Sequence, residues 1–239
     1  MPLDPRESRF IATNSSGEVS AVYQPAAEPR ALFVFAHGAG AGMRHSFMER
    51  FAGRCADAGV STFRYQFPYM EAERRRPDHA PILRATVRSA IAAAGECAPD
   101  AAALPWIVGG KSMGGRMTSL ADADQPLTRP DGAPIDGIAF VGFPLHPAGK
   151  PGRDRADHLA ETHPPLLFLQ GTRDRLAELE FLRPEVAKLG GRARLEVFDG
   201  ADHSFDVLKR SGIDPDELHD RLVGALAEWS EGLVPPALP

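Results

Sequence analysis

Cysteine is scarce: the 239 residues hold two, Cys55 and Cys97, with no CxxC pair and no Cys/His spacing that would grip a metal. A disulfide scaffold and a zinc module are excluded on that ground, and two lone thiols suit a reducing cytoplasm. No run approaches the roughly 18 consecutive apolar residues that a membrane span needs. The opening Met1-Pro-Leu-Asp-Pro-Arg-Glu7 lacks the apolar segment of an export signal. An excess of one charge is missing too. The net charge of −5 comes from 27 basic and 32 acidic residues that alternate in sign along the chain, which leaves no basic footprint for nucleic acid. Internal repeats and low-complexity tracts are also lacking. The expectation is a soluble, cytoplasmic protein, a monomer or homodimer, with no nucleic-acid or membrane partner.

What is present is an alternation of apolar strands and amphipathic helices, in a chain whose 43% apolar content supports one large core. Arg9 to Thr13 and Val19 to Gln24 flank Asn14-Ser-Ser-Gly17 and read as an edge hairpin. Buried strands are expected at Ala31–Ala36, Val60–Tyr65, Trp106 onward, Gly137–Gly142, Leu166–Gln170 and Arg194–Phe198. Helices are expected from Ser46, as the cap, to about Ala58, from Ile82 to Ala94, after Ser112 to Ala123, from Glu178 to Leu189, and from Pro215 to Glu231. Residues 66 to 81 read as a loop, and residues 1–8 and 233–239 as frayed ends. The fold class is a three-layer α/β/α domain built on a mostly parallel sheet of seven to eight strands.

One stretch organises the rest. Trp106-Ile-Val-Gly-Gly-Lys-Ser-Met-Gly-Gly-Arg116 is an apolar run that stops at a glycine pair and delivers Ser112 in a G-x-S-x-G pattern, Gly110 to Gly114. This reads as a nucleophile elbow, a strand turning abruptly into a helix with the serine at the apex. Gly110 and Gly114 are required because a Cβ at either would collide in so tight a turn. Two nucleotide-binding readings fail on spacing. A G-x-x-x-x-G-K-S phosphate loop would need glycine at 105, which is Pro105, and a dinucleotide fingerprint from Gly38 would need one at 43, which is Met43.

A serine hydroxyl is a poor nucleophile until an imidazole takes its proton, and the imidazole needs a carboxylate to fix its tautomer. In an open parallel sheet such groups gather at the carboxyl ends of strands. There the chain offers Gly171-Thr-Arg-Asp174 and Asp199-Gly-Ala-Asp-His203. His203 is expected as base and Asp174 as orienting acid. Asp199 and Asp202 are rivals, but a carboxylate on the same short turn rarely reaches the far ring nitrogen. The glycine-rich loop His37 to Gly42 is placed for an oxyanion hole of backbone N–H groups from Met113 and from Ala39, or Gly40 if the loop is shifted. His37 itself is expected to brace that loop. His45, His79, His158 and His219 show no metal spacing and read as surface residues; neither metal nor cofactor is called for.

The order Ser, Asp, His, together with His37-Gly-Ala-Gly-Ala-Gly42, Phe67-Pro-Tyr-Met70, Phe143-Pro-Leu-His-Pro147 and Gln170-Gly-Thr-Arg-Asp174, resembles the α/β-hydrolase superfamily from about Ala31 to Leu226. Within it the chain is similar to a compact branch related to dienelactone hydrolases, which includes testis-expressed and chromatin-complex-subunit relatives. The dienelactone enzymes carry a cysteine where this chain has Ser112, so their substrate does not carry over. The resemblance implies the fold and the triad, with an uncharacterised acyl substrate; the activity expected from the site is that of a serine hydrolase acting on a small carboxylic ester or thioester through an acyl-enzyme. A catalytically silent interaction subunit and a peptidase are the alternatives. A cap of only about twenty residues implies an open site, with Phe67, Tyr69, Met70, Met113 and His146 as expected walls. Lys111, Arg116 and Arg74 to Arg76 add positive charge near the mouth, toward an anionic substrate if they face it.

Overall fold

The computed structural model describes residues 3–233. Its eight strands are β1 (Arg6–Thr13), β2 (Gly17–Gln24), β3 (Ala31–Ala36), β4 (Val60–Tyr65), β5 (Trp106–Lys111), β6 (Gly137–Val141), β7 (Leu166–Gly171) and β8 (Ala193–Phe198). They form one sheet in the order β1-β2-β4-β3-β5-β6-β7-β8. Only the β1–β2 and β2–β4 pairings are antiparallel; the remaining pairs are parallel. Each parallel step needs a crossover, and the helices α1 (Ser46–Asp57), α2 (Pro68–Glu71), α3 (Ala80–Cys97), α4 (Met113–Asp124), α5 (Leu179–Lys188) and α6 (Pro215–Glu231) lie in those connections or close the chain.

The central strands β3, β5, β6 and β7 are apolar on both faces because both faces are covered. Alternate residues of β3 divide cleanly: Leu32, Val34 and Ala36 join a core that also holds Val87, Met117 and Leu182, from α3, α4 and α5. Ala31, Phe33 and Phe35 face a second core with Phe51 of α1 and Leu222 of α6. The same division runs through β5, β6 and β7, so the middle of the sheet is dry on both sides.

Several boundaries differ from the sequence expectation. Arg6 to Ser8 are not frayed but pair with Tyr23 to Ala21, since the register of β1 on β2 continues past Arg9. Leu233 packs, buried, against the core under α6. The proline-rich stretch from Pro235 lies outside the described residues. His45, not Ser46, caps α1, its Nδ1 accepting from the Phe47 amide. The expected loop 66–81 contains α2, a single turn started by Pro68, whose fixed φ suits a first helical position. Helix α3 begins at Ala80 and runs to Cys97, longer than expected at both ends.

Phe168 is fully buried between Phe140, at a 4.6 Å ring separation, and Phe143, at 5.8 Å. Phe168→Ala should cost about 3–5 kcal/mol, the range for a core aromatic cut to a methyl. Equilibrium urea unfolding measures it, and a loss under about 1 kcal/mol would show that this face of the sheet is not the packed core described.

Candidate active site

Strand β5 ends at Lys111, and Ser112 turns the chain directly into α4 with φ 50° and ψ −117°. A non-glycine residue rarely visits that region, and the conformation persists because its neighbours leave no other path. A Cβ on Gly110 would stand 2.4 Å from the Ala36 carbonyl oxygen, and one on Gly114 2.6 Å from the carbonyl oxygens of Ala36 and His37. No side chain fits at either place. The Ser112 amide donates to the Val141 carbonyl at 3.1 Å, which fixes the apex to β6.

The loops after β7 and β8 bring the other two groups to this apex. His203 Nε2 lies 2.8 Å from Ser112 Oγ, and His203 Nδ1 lies 2.7 Å from Asp174 Oδ2. A carboxylate only accepts, so Nδ1 carries the proton and Nε2 is left with a lone pair toward the hydroxyl. Asp174 is 3% exposed and its oxygens are satisfied: Oδ1 accepts from the Leu176 amide at 2.8 Å, and Oδ2 also accepts from Gln170 Nε2. Gln170 is itself fully buried and takes the Phe143 amide on Oε1 at 3.0 Å. It braces the acid from the end of β7, a role the sequence signals only by a glutamine closing an otherwise apolar strand. The rival carboxylates are engaged elsewhere. Asp199 accepts from Thr172 Oγ1, and Asp202 accepts from the Ser204 and Asp206 amides of its own turn.

The glycine-rich loop passes over the serine, with the Cβ position of Gly38 at 3.5 Å from Ser112 Cβ. Among the described residues the amides of Ala39 and Met113 have no acceptor, whereas Gly40 N–H donates to Tyr69 Oη at 3.3 Å. Gly40 is therefore not a free donor, and the pair left open is Ala39 and Met113. His37 is fully buried: its Nδ1–H donates to the Gly38 carbonyl at 2.8 Å, and its Nε2 accepts from the Phe67 amide at 3.0 Å. Burial pushes its pKa down to about 4, and the Gly38 hydrogen bond only partly opposes this.

A cavity of about 300 Å³ opens beside Ser112 between the glycine-rich loop, the first turn of α1 and the His203 turn. Its walls correct the expectation. Lys111 lines it, but Phe67 and Tyr69 are fully buried beneath the loop, the Met70 and Met113 side chains pack on the core, and His146 is buried on Glu178 and Pro147. The apolar wall comes instead from Phe47, Met48 and Leu176, with His45 and Ser204 at the rim. Helix α1 follows the glycine-rich loop, which carries its first turn to the edge of the cavity. His158, on Ser119 Oγ at 2.8 Å, and buried His219 are not surface residues either. Arg74 pairs with Asp78 at 2.6 Å, Arg75 and Arg76 are exposed, and Glu71 is held by Arg9 and Ser20. None of the three arginines lines the cavity. Between β6 and β7 the cap amounts to one short 3₁₀ segment, Asp154–Glu161.

A mostly parallel sheet carrying a serine at a strand-to-helix elbow, with an acid and a histidine following in that order at later strand ends, defines the α/β-hydrolase class. A family model described as an alpha/beta hydrolase domain matches residues 29–231, and the chain belongs to that family. Among solved structures, a dienelactone hydrolase from Anabaena variabilis superposes with a TM-score of 0.71 at 17% identity, covering 97% of this chain and 100% of that one. A serine hydrolase without lid from Xanthomonas campestris gives 0.69 at 16% identity, covering 100% and 99%. At such identities the likeness is one of fold. Two curated Mycobacterium tuberculosis proteins provisionally named phosphoribosyl transferases are 30% identical over 182 residues, 75% of this chain. The chain spans only 38% of the length of those relatives.

The buried His37 makes stability depend on pH with a definite sign. Its folded pKa, about 4, lies below the ordinary 6.5, so the unfolded chain binds the proton first as pH falls. The stabilisation is complete above about 6.5 and is lost toward about 4. His37→Gln should flatten the acid limb of unfolding free energy in that window by up to about 1.4 kcal/mol per pH unit. Urea midpoints across the window test this, and an unchanged slope would refute a neutral, buried imidazole.

Proposed function

We propose that the protein is a serine hydrolase that cleaves a small carboxylic ester or thioester through an acyl-enzyme. The observation that carries the reading is the unbroken chain from Ser112 Oγ to His203 to Asp174, with hydrogen bonds of 2.8 and 2.7 Å and the neutral tautomer already set for accepting the hydroxyl proton. Ser112 Oγ attacks the acyl carbon as His203 Nε2 takes its proton; Asp174 stabilises the imidazolium that forms. The amides of Met113 and Ala39 receive the oxyanion of the tetrahedral intermediate. His203 then returns the proton to the leaving alkoxide or thiolate, and a water activated by the same nitrogen releases the acid. No cofactor enters these steps.

The cavity size and its Phe47, Met48 and Leu176 wall support a short acyl group, and the thin cap leaves the leaving-group side open. The phosphoribosyl transferase name belongs to proteins of which this chain covers 38%, and this site is built around a serine nucleophile rather than a phosphate loop. The unpaired cysteines, with Cys55 buried, fit a cytoplasmic setting.

Hydrolysis of p-nitrophenyl acetate and butyrate by the wild type, with a loss of about 10⁴-fold or more in Ser112→Ala, is the expected result. Covalent labelling by a fluorophosphonate should disappear in the same variant. Equal rates from both proteins, with no label on the wild type, would instead favour a catalytically silent interaction subunit.

A further inference from the structure

Lys111, the residue just before the nucleophile, is 9% exposed, and its ammonium is surrounded by unusual neighbours for a cation. Nζ donates to the backbone carbonyl of His203 at 2.6 Å and lies 5.6 Å from the Phe205 ring centre and 5.8 Å from that of Phe47. Among the described residues it makes no ion pair with a carboxylate. A buried ammonium with no carboxylate in contact is costly, and a methionine of similar length would fill the same space without that cost. Packing alone therefore does not call for a lysine here.

We infer that Lys111 is a positioning residue for His203, tying the backbone of the base to the strand that carries the nucleophile. This rests on the catalytic reading of Ser112 and His203 proposed above. The turn that presents His203 needs such a tie. It contains two residues with positive φ, Gly200 at 70° and Phe205 at 62°. Its Asp202 hydrogen bonds, to Ser204 and Asp206, shape the turn from within, and the bonds of Gly200 and Ala201 to the β7 loop hold only its first half. Among the described residues the backbone of His203 makes its one hydrogen bond to Lys111. The position of the imidazole over Ser112 Oγ is thus held from two sides: by Asp174 at the ring and by Lys111 at the carbonyl. A misplacement of about 1 Å in such a pair costs on the order of 10²-fold in rate.

The tie is also sensitive to pH. Burial pulls the Lys111 ammonium down to about 8, with Asp174 and Asp202 opposing. The groups facing it are Asp202 and His203 from the turn, Asp174 from the loop after β7, and His45 from the start of α1. Above that pH the amine is neutral and a weaker donor, so the turn loosens as pH rises.

The test compares the wild type with Lys111→Met and Lys111→Gln, using p-nitrophenyl acetate from pH 6 to 10 and amide hydrogen exchange of residues 201–206. In Lys111→Met the melting temperature should hold or rise, kcat should fall about 10²-fold with KM little changed, and the alkaline limb should vanish. Exchange at the turn should quicken roughly tenfold or more, as expected on losing a charge-assisted hydrogen bond. Lys111→Gln, which keeps a donor without the charge, should recover part of kcat. Wild-type kcat and exchange in Lys111→Met would overturn the inference while Ser112→Ala still reported on the triad. If the wild type hydrolyses no ester, the catalytic reading fails, and exchange at the turn alone decides whether Lys111 holds it.

Discussion

The structure depends on one close approach, that of the first turn of α4 to the carboxyl ends of β3 and β5. Gly110 and Gly114 sit against the carbonyl oxygens of Ala36 and His37 at distances that admit no side chain. That contact forces Ser112 into a positive φ, a strain of about 1–3 kcal/mol that the two dry cores must outweigh. Because the helix cannot retreat, the serine hydroxyl is lifted clear of the sheet and the Met113 amide is left without an acceptor. A serine hydroxyl clear of the sheet and a free amide beside it are two results of a single packing constraint.

The polar groups around the apex are held as a connected chain rather than as separate pairs. Phe143 N–H binds Gln170, Gln170 binds Asp174, Asp174 binds His203 and His203 meets Ser112. In a buried site an incomplete chain would leave an unpaired polar atom at a cost of about 1–3 kcal/mol, so each member fixes the next in one orientation. Gln170 and the Phe143 amide bridge the ends of β7 and β6, and the register of those strands, Phe140 on Phe168, is what brings them within reach. The core thereby sets the precision of the site.

Much of this was legible in the sequence, for a physical reason. Strands buried on both faces are continuous apolar runs, and Ser112, Asp174 and His203 stand out because polar residues gather where those runs end. The cavity walls were not legible in the same way. Phe67 and Tyr69 follow a strand end and carry polar or aromatic faces, but α2 folds them under the glycine-rich loop, where Tyr69 takes the Gly40 amide. Phe47 and Met48 look like ordinary core positions of an amphipathic helix, and they are; they reach the cavity only because His45 starts α1 at its edge. Which side of a helix faces a site depends on the packing angle, and periodicity does not carry it. The strand at Arg6 to Ser8 was missed because charged edge residues resemble a frayed end unless their partners are known.

The two histidines near Ser112 show how environment alone assigns a role. His37 and His203 both hold one ring proton on Nδ1, and both lie beside the elbow in space though far from it in sequence. His37 gives that proton to a backbone carbonyl and receives a backbone amide on Nε2, so neither nitrogen can exchange a proton without breaking the loop that brings Ala39 over the serine. Burial reinforces this by disfavouring the imidazolium. His203 gives its proton to a carboxylate and keeps Nε2 for a hydroxyl that can move. One imidazole is a rigid strut, the other carries the proton in the mechanism proposed, and the difference lies in a backbone carbonyl standing where the other has Asp174.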